Sequence, residues 1–132
     1  MKYVLDTDTL IYFLKGNEKV VKKIAETPLS EIATTIVNHS ELLFGAFNSA
    51  KKINNLEHIQ LFLNNLTIIP FCEDSSYVFA EQKAHLKKGG NIIADLDLII
   101  ASIALKHKSI LVTNNVKHFE CIKKLKIENW SK

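Results

Sequence analysis

The chain has 132 residues, of which 47% are hydrophobic and 23% are charged, a composition typical of one globular domain with a buried core. All 17 basic residues are lysine, and the net charge of +3 permits nucleic-acid binding without requiring it. The two cysteines lie far apart, outside any CxxC spacing, and predict neither a disulfide framework nor a zinc site. Because no signal peptide and no apolar run of ~18 residues is present, we expect a cytoplasmic protein without a membrane partner.

Strand-like and helix-like segments alternate along the chain. Apolar or β-branched runs predict strands at residues 2–5, 32–37, 67–71, 109–113 and 125–128. Apolar residues at helical spacing, with capping and stop signals, predict helices near 9–15, 18–26, 38–50, 54–65, 73–88, 95–107 and 116–122. This alternation predicts one α/β domain over residues 1–132 with a mainly parallel central sheet.

Two short acidic segments, Asp6-Thr7-Asp8 and Asp95-Leu96-Asp97, hold four of the five aspartates. Each borders a strongly apolar segment, where a carboxylate is costly unless its charge is compensated. Carboxylates gathered at one point repel each other, so they share a proton or bind a cation. Hard oxygen ligands of this kind suit Mg²⁺ or Mn²⁺. We therefore predict that both segments meet at one divalent-metal site.

The predicted topology gives these side chains a common place to meet. Ligands of open α/β sheets bind outside the carboxyl ends of the strands. Asp6 ends the first predicted strand, and Asn114 and Asn115 follow a later one. Glu41 lies one turn into the helix after the second strand, and Asp97 lies in the first turn of its own helix. All of them can therefore face the same edge of the sheet.

Several of these acidic residues also have a purely structural interpretation. Asp6 is predicted to be a ligand rather than a helix cap, because Asp8 and Thr9 are better placed to cap the helix at 9–15. Asp8 is interpreted equally well as that cap or as a hydrogen-bonding partner of the ligands. In the second segment we assign Asp95 the N-cap and Asp97 the metal, because the first turn of a helix favours negative charge.

The remaining candidates are more evenly balanced between the two interpretations. Glu41 stands three residues after Asn38, the spacing of a capping box, so it is equally a cap partner or a metal ligand. Asn115 could orient a water molecule or a phosphate, although paired asparagines are also common in turns. Thr113 could act in the same way, or could be only the last residue of its strand.

The chain resembles the PIN-domain ribonucleases, and most closely the VapC-type toxins of toxin–antitoxin pairs. The match runs nearly from end to end and includes the closing Ile127-Glu128-Asn129-Trp130. Four motifs in the family's order carry the resemblance: Tyr3-Val4-Leu5-Asp6-Thr7-Asp8, Ser40-Glu41-Leu42-Leu43-Phe44-Gly45-Ala46, Asp97-Leu98-Ile99-Ile100-Ala101 and Leu111-Val112-Thr113-Asn114-Asn115-Val116-Lys117-His118-Phe119.

The resemblance implies a three-layer α/β/α fold and a set of site residues. Asp6 matches the family's first acidic metal ligand, Glu41 the glutamate of its ELxxGA helix, and Asp97 the aspartate of its DxxIA helix. The family's fourth acidic position falls at Asn115, which removes one charge and argues against a second tightly bound cation. The catalytic residues are then expected to be Asp6, Glu41, Asp97 and Asn115. The residues that could support them are Asp8, Asp95 and Thr113.

The resemblance also implies an activity and partners. The expected reaction is Mg²⁺- or Mn²⁺-dependent hydrolysis of phosphodiester bonds in structured RNA, such as tRNA or rRNA. A homodimer and a VapB-like antitoxin that blocks the acidic site are expected as partners. Two lysine clusters, Lys87-Lys88 and Lys123-Lys124-Lys126, are either solvated or part of an RNA-binding face.

Two other functions stay open. Asp6-Thr7-Asp8-Thr9-Leu10 fits the DxDxT opening of haloacid-dehalogenase-like phosphohydrolases, in which Asp6 would be the nucleophile. Against this alternative, the short chain has no convincing lysine motif followed by a paired-acid loop. A PIN-like module that binds RNA or protein without cutting is the non-enzymatic alternative.

Overall fold

The computed structural model describes residues 1–132, which form a five-stranded sheet, seven α-helices and a short 3-10 helix at Leu29–Glu31. The strands, β1 to β5, are Tyr3–Leu5, Ile32–Thr35, Thr67–Ile69, Ile110–Val112 and Lys126–Glu128. The helices, α1 to α7, are Thr7–Leu14, Glu18–Glu26, Ile36–Phe47, Lys52–Leu63, Glu73–Lys88, Asp95–Lys106 and Val116–Phe119. None of these helices is both long and apolar enough to span a bilayer.

The strand order is β3-β2-β1-β4-β5, and every neighbouring pair is parallel. The predicted mainly parallel sheet is therefore confirmed. From β1 the chain continues outward to β2 and β3, then crosses back to place β4 on the other side of β1. The carboxyl ends of β1 and β4 thus flank the point where the order of the strands reverses, which is where open α/β sheets bind their ligands.

Alternation along the short strands divides the core between the two faces of the sheet. In β1, Val4 points to one cluster while Tyr3 and Leu5 point to the other. The Val4 cluster is completed mainly by α5, α6 and α7, and the Tyr3 cluster by α1 to α4 with Trp130 of the C-terminal tail. Helices therefore cover both faces, which confirms the expected three-layer α/β/α architecture.

The first helix begins earlier than predicted. Asp6, and neither Asp8 nor Thr9, is the N-cap of α1, and its Oδ1 accepts the Thr7 N–H at 2.9 Å. Extension of the helix to Thr7 follows from the parallel register, in which the Asp6 N–H donates to the Val112 carbonyl at 2.9 Å. The chain therefore leaves the sheet directly after Asp6.

The predicted capping box of the third helix is also displaced. Strand β2 ends at Thr35 rather than residue 37, and Thr35, not Asn38, is the N-cap of α3. Thr35 Oγ1 accepts the N–H groups of Val37 and Asn38 at 3.2 and 3.3 Å. Asn38 Oδ1 in turn accepts the Thr35 N–H at 3.3 Å. Glu41 is thus released from any capping role, and its structural interpretation was wrong.

The cap of α6 differs as well. Ala94 is the N-cap and makes no side-chain bond, whereas Asp95 is the first helical residue. Its carboxylate accepts from Lys83 of α5 at 2.8 Å instead of from the backbone of its own helix. The prediction of Asp95 as N-cap was therefore wrong. The other element boundaries lie within three residues of those expected from the sequence.

The Thr35 cap gives a prediction about stability. Thr35→Ala should lower the free energy of unfolding by about 1–2 kcal/mol, because two N–H groups of the first turn of α3 lose their acceptor. Thr35→Ser keeps the hydroxyl and should cost less than half of that. Urea denaturation followed by circular dichroism measures both changes, and equal losses in the two variants would contradict the cap as the cause.

Candidate active site

The site lies at the carboxyl edge of the sheet, between the ends of β1 and β4. Asp6 stands directly after β1 and is only 5% exposed. Thr113, fully buried, stands directly after β4. The first turn of α3 closes the other side through Asn38, which is also fully buried. Three distant parts of the chain therefore meet around one buried carboxylate.

Both oxygens of Asp6 are hydrogen-bonded to neutral donors. Oδ1 accepts from the Thr7 N–H at 2.9 Å and from Asn38 Nδ2 at 3.1 Å. Oδ2 accepts from Thr113 Oγ1 at 2.7 Å. No lysine forms an ion pair with this carboxylate. These bonds orient Asp6 without neutralising its charge.

Asn38 links Asp6 to Glu41 through Thr7. Its Oδ1 accepts from the N–H and Oγ1 of Thr35, at 3.3 and 2.7 Å, which fixes Nδ2 as the donor side of the amide. Nδ2 donates to Asp6 and, at 2.9 Å, to Thr7 Oγ1. The Thr7 hydroxyl is then free to donate its own hydrogen to Glu41 Oε1, at 2.6 Å. One buried amide therefore sets both Asp6 and Glu41 as acceptors.

Asp8 contacts the loop after β4. Its Oδ2 accepts the Asn114 N–H at 3.0 Å and lies 3.5 Å from Thr113 Oγ1. Its Oδ1 has only a 3.3 Å contact with the hydroxyl of Thr9. Of its two interpretations, helix cap or partner at the site, the geometry favours the second.

The two carboxylates of the second acidic segment lie in different surroundings. Asp97, with a side chain 27% exposed, lies on the side of α6 that faces α7, where its Oδ2 is 3.5 Å from His118 Nδ1. Asp95 has a side chain 60% exposed and pairs with Lys83 at 2.8 Å. Asp95 therefore contacts α5 and lies outside the group of buried residues around Asp6.

Thr113 and Asn115 play different parts in the loop after β4. The Thr113 hydroxyl donates to Asp6 and accepts the Asn115 N–H at 3.0 Å, so it holds the carboxylate and the loop together. Asn115 is exposed, and its side chain makes no hydrogen bond within the protein. The structure thus brings Asn115 to the rim of the site and leaves its amide free to meet a ligand.

The pKa of Asp6 is raised from 3.8 to about 6. Burial is the main cause, and the negative charges of Asp8 and Asp97 raise the pKa further. The hydrogen bonds from Thr113 and from the Thr7 N–H oppose this shift. Because the charge of Asp97 acts on Asp6, the two acidic segments lie within electrostatic reach of each other.

The donor set fits a hard divalent cation in its chemistry. Carboxylate oxygens of Asp6, Glu41 and Asp97 are of the kind that such a cation prefers, and their protein partners are neutral donors and one imidazole. No three carboxylate, imidazole or thiol groups surround a single point, however, because Glu41 is bonded to Thr7 and Asp97 lies beside His118. The sharing of one cation by all three carboxylates stays a prediction.

Sequence reasoning identified Thr113 but missed three other residues that contact the carboxylates. Asn38 was assigned to a helix cap, and neither Thr7 nor His118 was singled out. A signal for Asn38 existed, since a polar residue at a buried position of an apolar helix requires partners. The partners themselves are 31 and 32 residues away in sequence, so only the tertiary structure identifies them.

The raised pKa of Asp6 predicts a dependence of stability on pH. Since the folded pKa exceeds the unfolded value, folding favours the protonated acid, and stability falls as pH rises between about 4 and 6. Without divalent cations, wild type should lose about 3 kcal/mol of unfolding free energy relative to Asp6→Asn across this window, given a shift from 3.8 to about 6.

Chemical denaturation of both proteins in EDTA, at pH values from 4 to 8, measures the difference. Comparison with the variant at each pH cancels the titration of every group that does not interact with Asp6. A difference that stays constant with pH would contradict the raised pKa. Addition of Mg²⁺ at pH 7.5 should restore most of the lost stability in wild type only.

The chain is similar to known proteins over nearly its whole length. A family model described as the PIN domain matches residues 3–125. Ribonuclease VapC2 of Rickettsia felis is 34% identical over 134 residues, which cover 100% of both chains. The tRNA(fMet)-specific endonuclease VapC of Salmonella typhimurium is 26% identical over 98% of both chains.

A solved structure shows the same fold. The crystal structure of VapBC2 from Rickettsia felis, bound to a DNA fragment from its promoter, contains a chain that superposes with a TM-score of 0.91. That chain is 33% identical, and the match covers 98% of this chain and 99% of the other. On the family model and on this identity over the full length, the chain belongs to the PIN-domain family, among the VapC ribonucleases.

Proposed function

We propose that residues 1–132 form one nuclease domain, a metal-dependent endoribonuclease that is the toxin of a type II toxin–antitoxin pair. The observation that carries the proposal is the buried Asp6 at the β1–β4 junction, held by neutral donors and raised in pKa by burial and by Asp8 and Asp97. A carboxylate in this setting binds a cation more readily than it stays charged and alone. The similarity to VapC ribonucleases supports RNA as the polymer that is cut.

The proposed ligands are Asp6, Glu41 and Asp97, which would hold Mg²⁺ or Mn²⁺. When bound, such a cation polarises the scissile phosphate and lowers the pKa of an attacking water. Glu41 Oε2 and Asp97 Oδ1 accept no hydrogen bond from the protein, which leaves both oxygens free for a ligand or a proton. Asn115, in place of an acid, favours one tightly bound cation over two.

The surrounding residues act by positioning. Asn38 and Thr113 hold the two oxygens of Asp6 in a fixed plane. Thr7 orients Glu41, and Asp8 fixes the backbone of the loop that carries Asn115. Because their donors are neutral, these bonds keep the negative charge that a cation requires.

Substrate and partners follow from the relatives. A tRNA is the proposed substrate, since one relative is named as a tRNA(fMet)-specific endonuclease. A VapB-like antitoxin is the proposed protein partner, since the similar solved structure is a VapBC complex. A homodimer is proposed as well, because helices α3 and α4 carry large apolar side chains that are 60–70% exposed, as surfaces covered by a second copy do: Phe44, Phe47, Ile53 and Leu61.

The two alternatives are less well supported. The relatives are ribonucleases rather than haloacid-dehalogenase-like phosphohydrolases, and nothing in them favours Asp6 as a phosphorylated nucleophile. A non-catalytic PIN-like module would bind RNA without regard to metal or to Asp97. The activity assays below separate that module from the nuclease.

Single substitutions in the two acidic segments test the ligand set. Asp6→Asn and Asp97→Asn should each lower Mg²⁺-dependent cleavage of tRNA more than the ~100-fold typical for loss of a partner that only orients a ligand. Asp95→Asn is the matched control, because it removes the same charge two residues away from Asp97. This variant should cleave tRNA at the wild-type rate. A circular RNA substrate, read on a denaturing gel, shows that cleavage is endonucleolytic. Undiminished cleavage by both ligand variants would end the assignment.

Asn38 tests the positioning of the carboxylates. Asn38→Ala should lower the apparent affinity for Mg²⁺ and the cleavage rate by ~10–100-fold, because Asp6 and the Thr7–Glu41 pair lose their common donor. Ser40→Ala, at an exposed position of the same helix, should leave both unchanged. Saturating Mg²⁺ should restore part of the activity of Asn38→Ala. Full activity at limiting Mg²⁺ would contradict the role of Asn38.

A further inference from the structure

A groove lined by lysines runs beside the candidate active site. We name it the lysine groove, and it has a volume of about 430 Å³ between helix α2 and the C-terminal tail. Four of its eight lining residues are lysines: Lys19, Lys22, Lys23 and Lys132. None of these lysines belongs to the clusters that the sequence analysis singled out. The groove exists because the tail after β5 folds back against α2.

The floor of the groove is Trp130, which is only 5% exposed. Its indole ring packs edge-on against Tyr3, with the ring centroids 5.0 Å apart. Lys23 Nζ lies 5.9 Å from the indole centroid. The tail is therefore anchored in the core, and the lysines of α2 stand over a fixed apolar floor.

The positive charge of the groove is only partly balanced. Lys22 pairs with Glu26 at 4.0 Å, and Glu128 Oε1 accepts the indole N–H of Trp130 at 2.9 Å. The other three lysines of the groove have no carboxylate within 4.0 Å. These unpaired ammonium groups lie together on one exposed surface, which therefore attracts anions.

The lysine groove is continuous with the active-site loop. Asn129 lines the groove, and its Nδ2 donates to Asn114 Oδ1 at 3.1 Å. Ser131 donates to the same oxygen at 3.0 Å. The Asn114 N–H in turn donates to Asp8 in the acidic site. A polymer whose reacting phosphate lies at Asp6 can therefore continue past Asn114 and Asn129 into the groove.

We propose that the lysine groove binds the phosphate backbone of the RNA strand on one side of the scissile bond. The inference rests on the proposed nuclease function and names the path of its substrate. The acidic site repels a polyanion, so the affinity for RNA must come from positive charge beside it. Lysine supplies point charges, which suit phosphates, and the buried Trp130 offers no face for a base to stack on. The contact is therefore to the backbone and is independent of base sequence.

The test measures RNA binding apart from cleavage. The triple variant Lys19→Gln, Lys22→Gln and Lys23→Gln is compared with Lys87→Gln, Lys88→Gln and Lys123→Gln, which removes the same charge from the clusters that the sequence singled out. Fluorescence anisotropy with labelled U12 and A12 oligoribonucleotides is recorded in EDTA from 50 to 200 mM KCl. Circular dichroism confirms that both variants melt as wild type does.

The groove variant should bind both oligonucleotides roughly tenfold or more weakly at 50 mM KCl, and its slope of log K against log salt should fall by about 2. The control variant should bind within twofold of wild type. Equal losses in the two variants, or a loss for only one oligonucleotide, would overturn the proposal. An oligoglutamate peptide of equal charge should compete with the labelled RNA less strongly than unlabelled RNA does. Equally strong competition would also overturn the proposal, since the groove would then fit an acidic protein segment.

Failure of this proposal is distinguishable from failure of the proposed function. Cleavage of tRNA by wild type with Mg²⁺, and its loss in Asp97→Asn, depends on the acidic site. If wild type cleaves and the groove variant binds RNA normally, the path through the groove is wrong and the nuclease stands. If wild type does not cleave but the groove variant binds RNA weakly, the nuclease is wrong and the groove stands.

Discussion

The structure depends on one buried carboxylate at the junction of β1 and β4. Asp6 is the last residue before the chain leaves the sheet, it caps α1, and it accepts bonds from Asn38 of α3 and from Thr113 after β4. An isolated charged carboxylate at this depth is costly, and the hydrogen-bond donors offset part of that cost. The same donors fix the orientation of the carboxylate group. Stability and site geometry therefore have a common origin.

The hydrogen-bond donors around Asp6 satisfy its carboxylate oxygens without neutralising its negative charge. Hydroxyl, amide and backbone N–H groups satisfy the lone pairs, yet no lysine or arginine neutralises the charge. Asp8 and Asp97 add to the repulsion, and the pKa of Asp6 rises to about 6. In the proposed function, a divalent cation would relieve this repulsion on binding. A lysine in the place of Asn38 would remove that driving force.

The lysine groove beside the site has more positive than negative side chains. A chain without arginine must bind a polyanion through lysine and backbone N–H groups, and position then matters more than number. The C-terminal tail lies between the lysines of α2 and the site. Trp130 anchors the tail in the core, and Asn129 donates a hydrogen bond to Asn114 of the active-site loop. The acidic site and the lysine groove are thus connected by the hydrogen-bonded loop that contains Asn114. This arrangement lets a phosphodiester strand approach carboxylates that would otherwise repel it.

The sequence by itself determined the alternation of strands and helices and the parallel sheet, and it predicted that Asp6, Glu41 and Asp97 meet at one edge. These follow from local hydrophobic patterns and from the rule that parallel strands end on the same side. It did not determine which residues cap the helices. Asp6 and Thr35 replaced the expected caps of α1 and α3 because strand register, not local preference, decides where the chain leaves the sheet. Ala94 replaced Asp95 as the cap of α6 at the end of the loop after α5.

Only the tertiary structure decided the roles of Asn38, Thr7 and His118. Their partners are far away in sequence, and a hydrogen bond between distant residues leaves no periodic trace in the chain. The lysine groove was hidden for the same reason, since its charges come from α2 and from the C-terminus. Local hydrophobic patterns in the sequence predict helices and strands. Functional sites are formed by contacts between helices and strands, and those contacts exist only once the chain has folded.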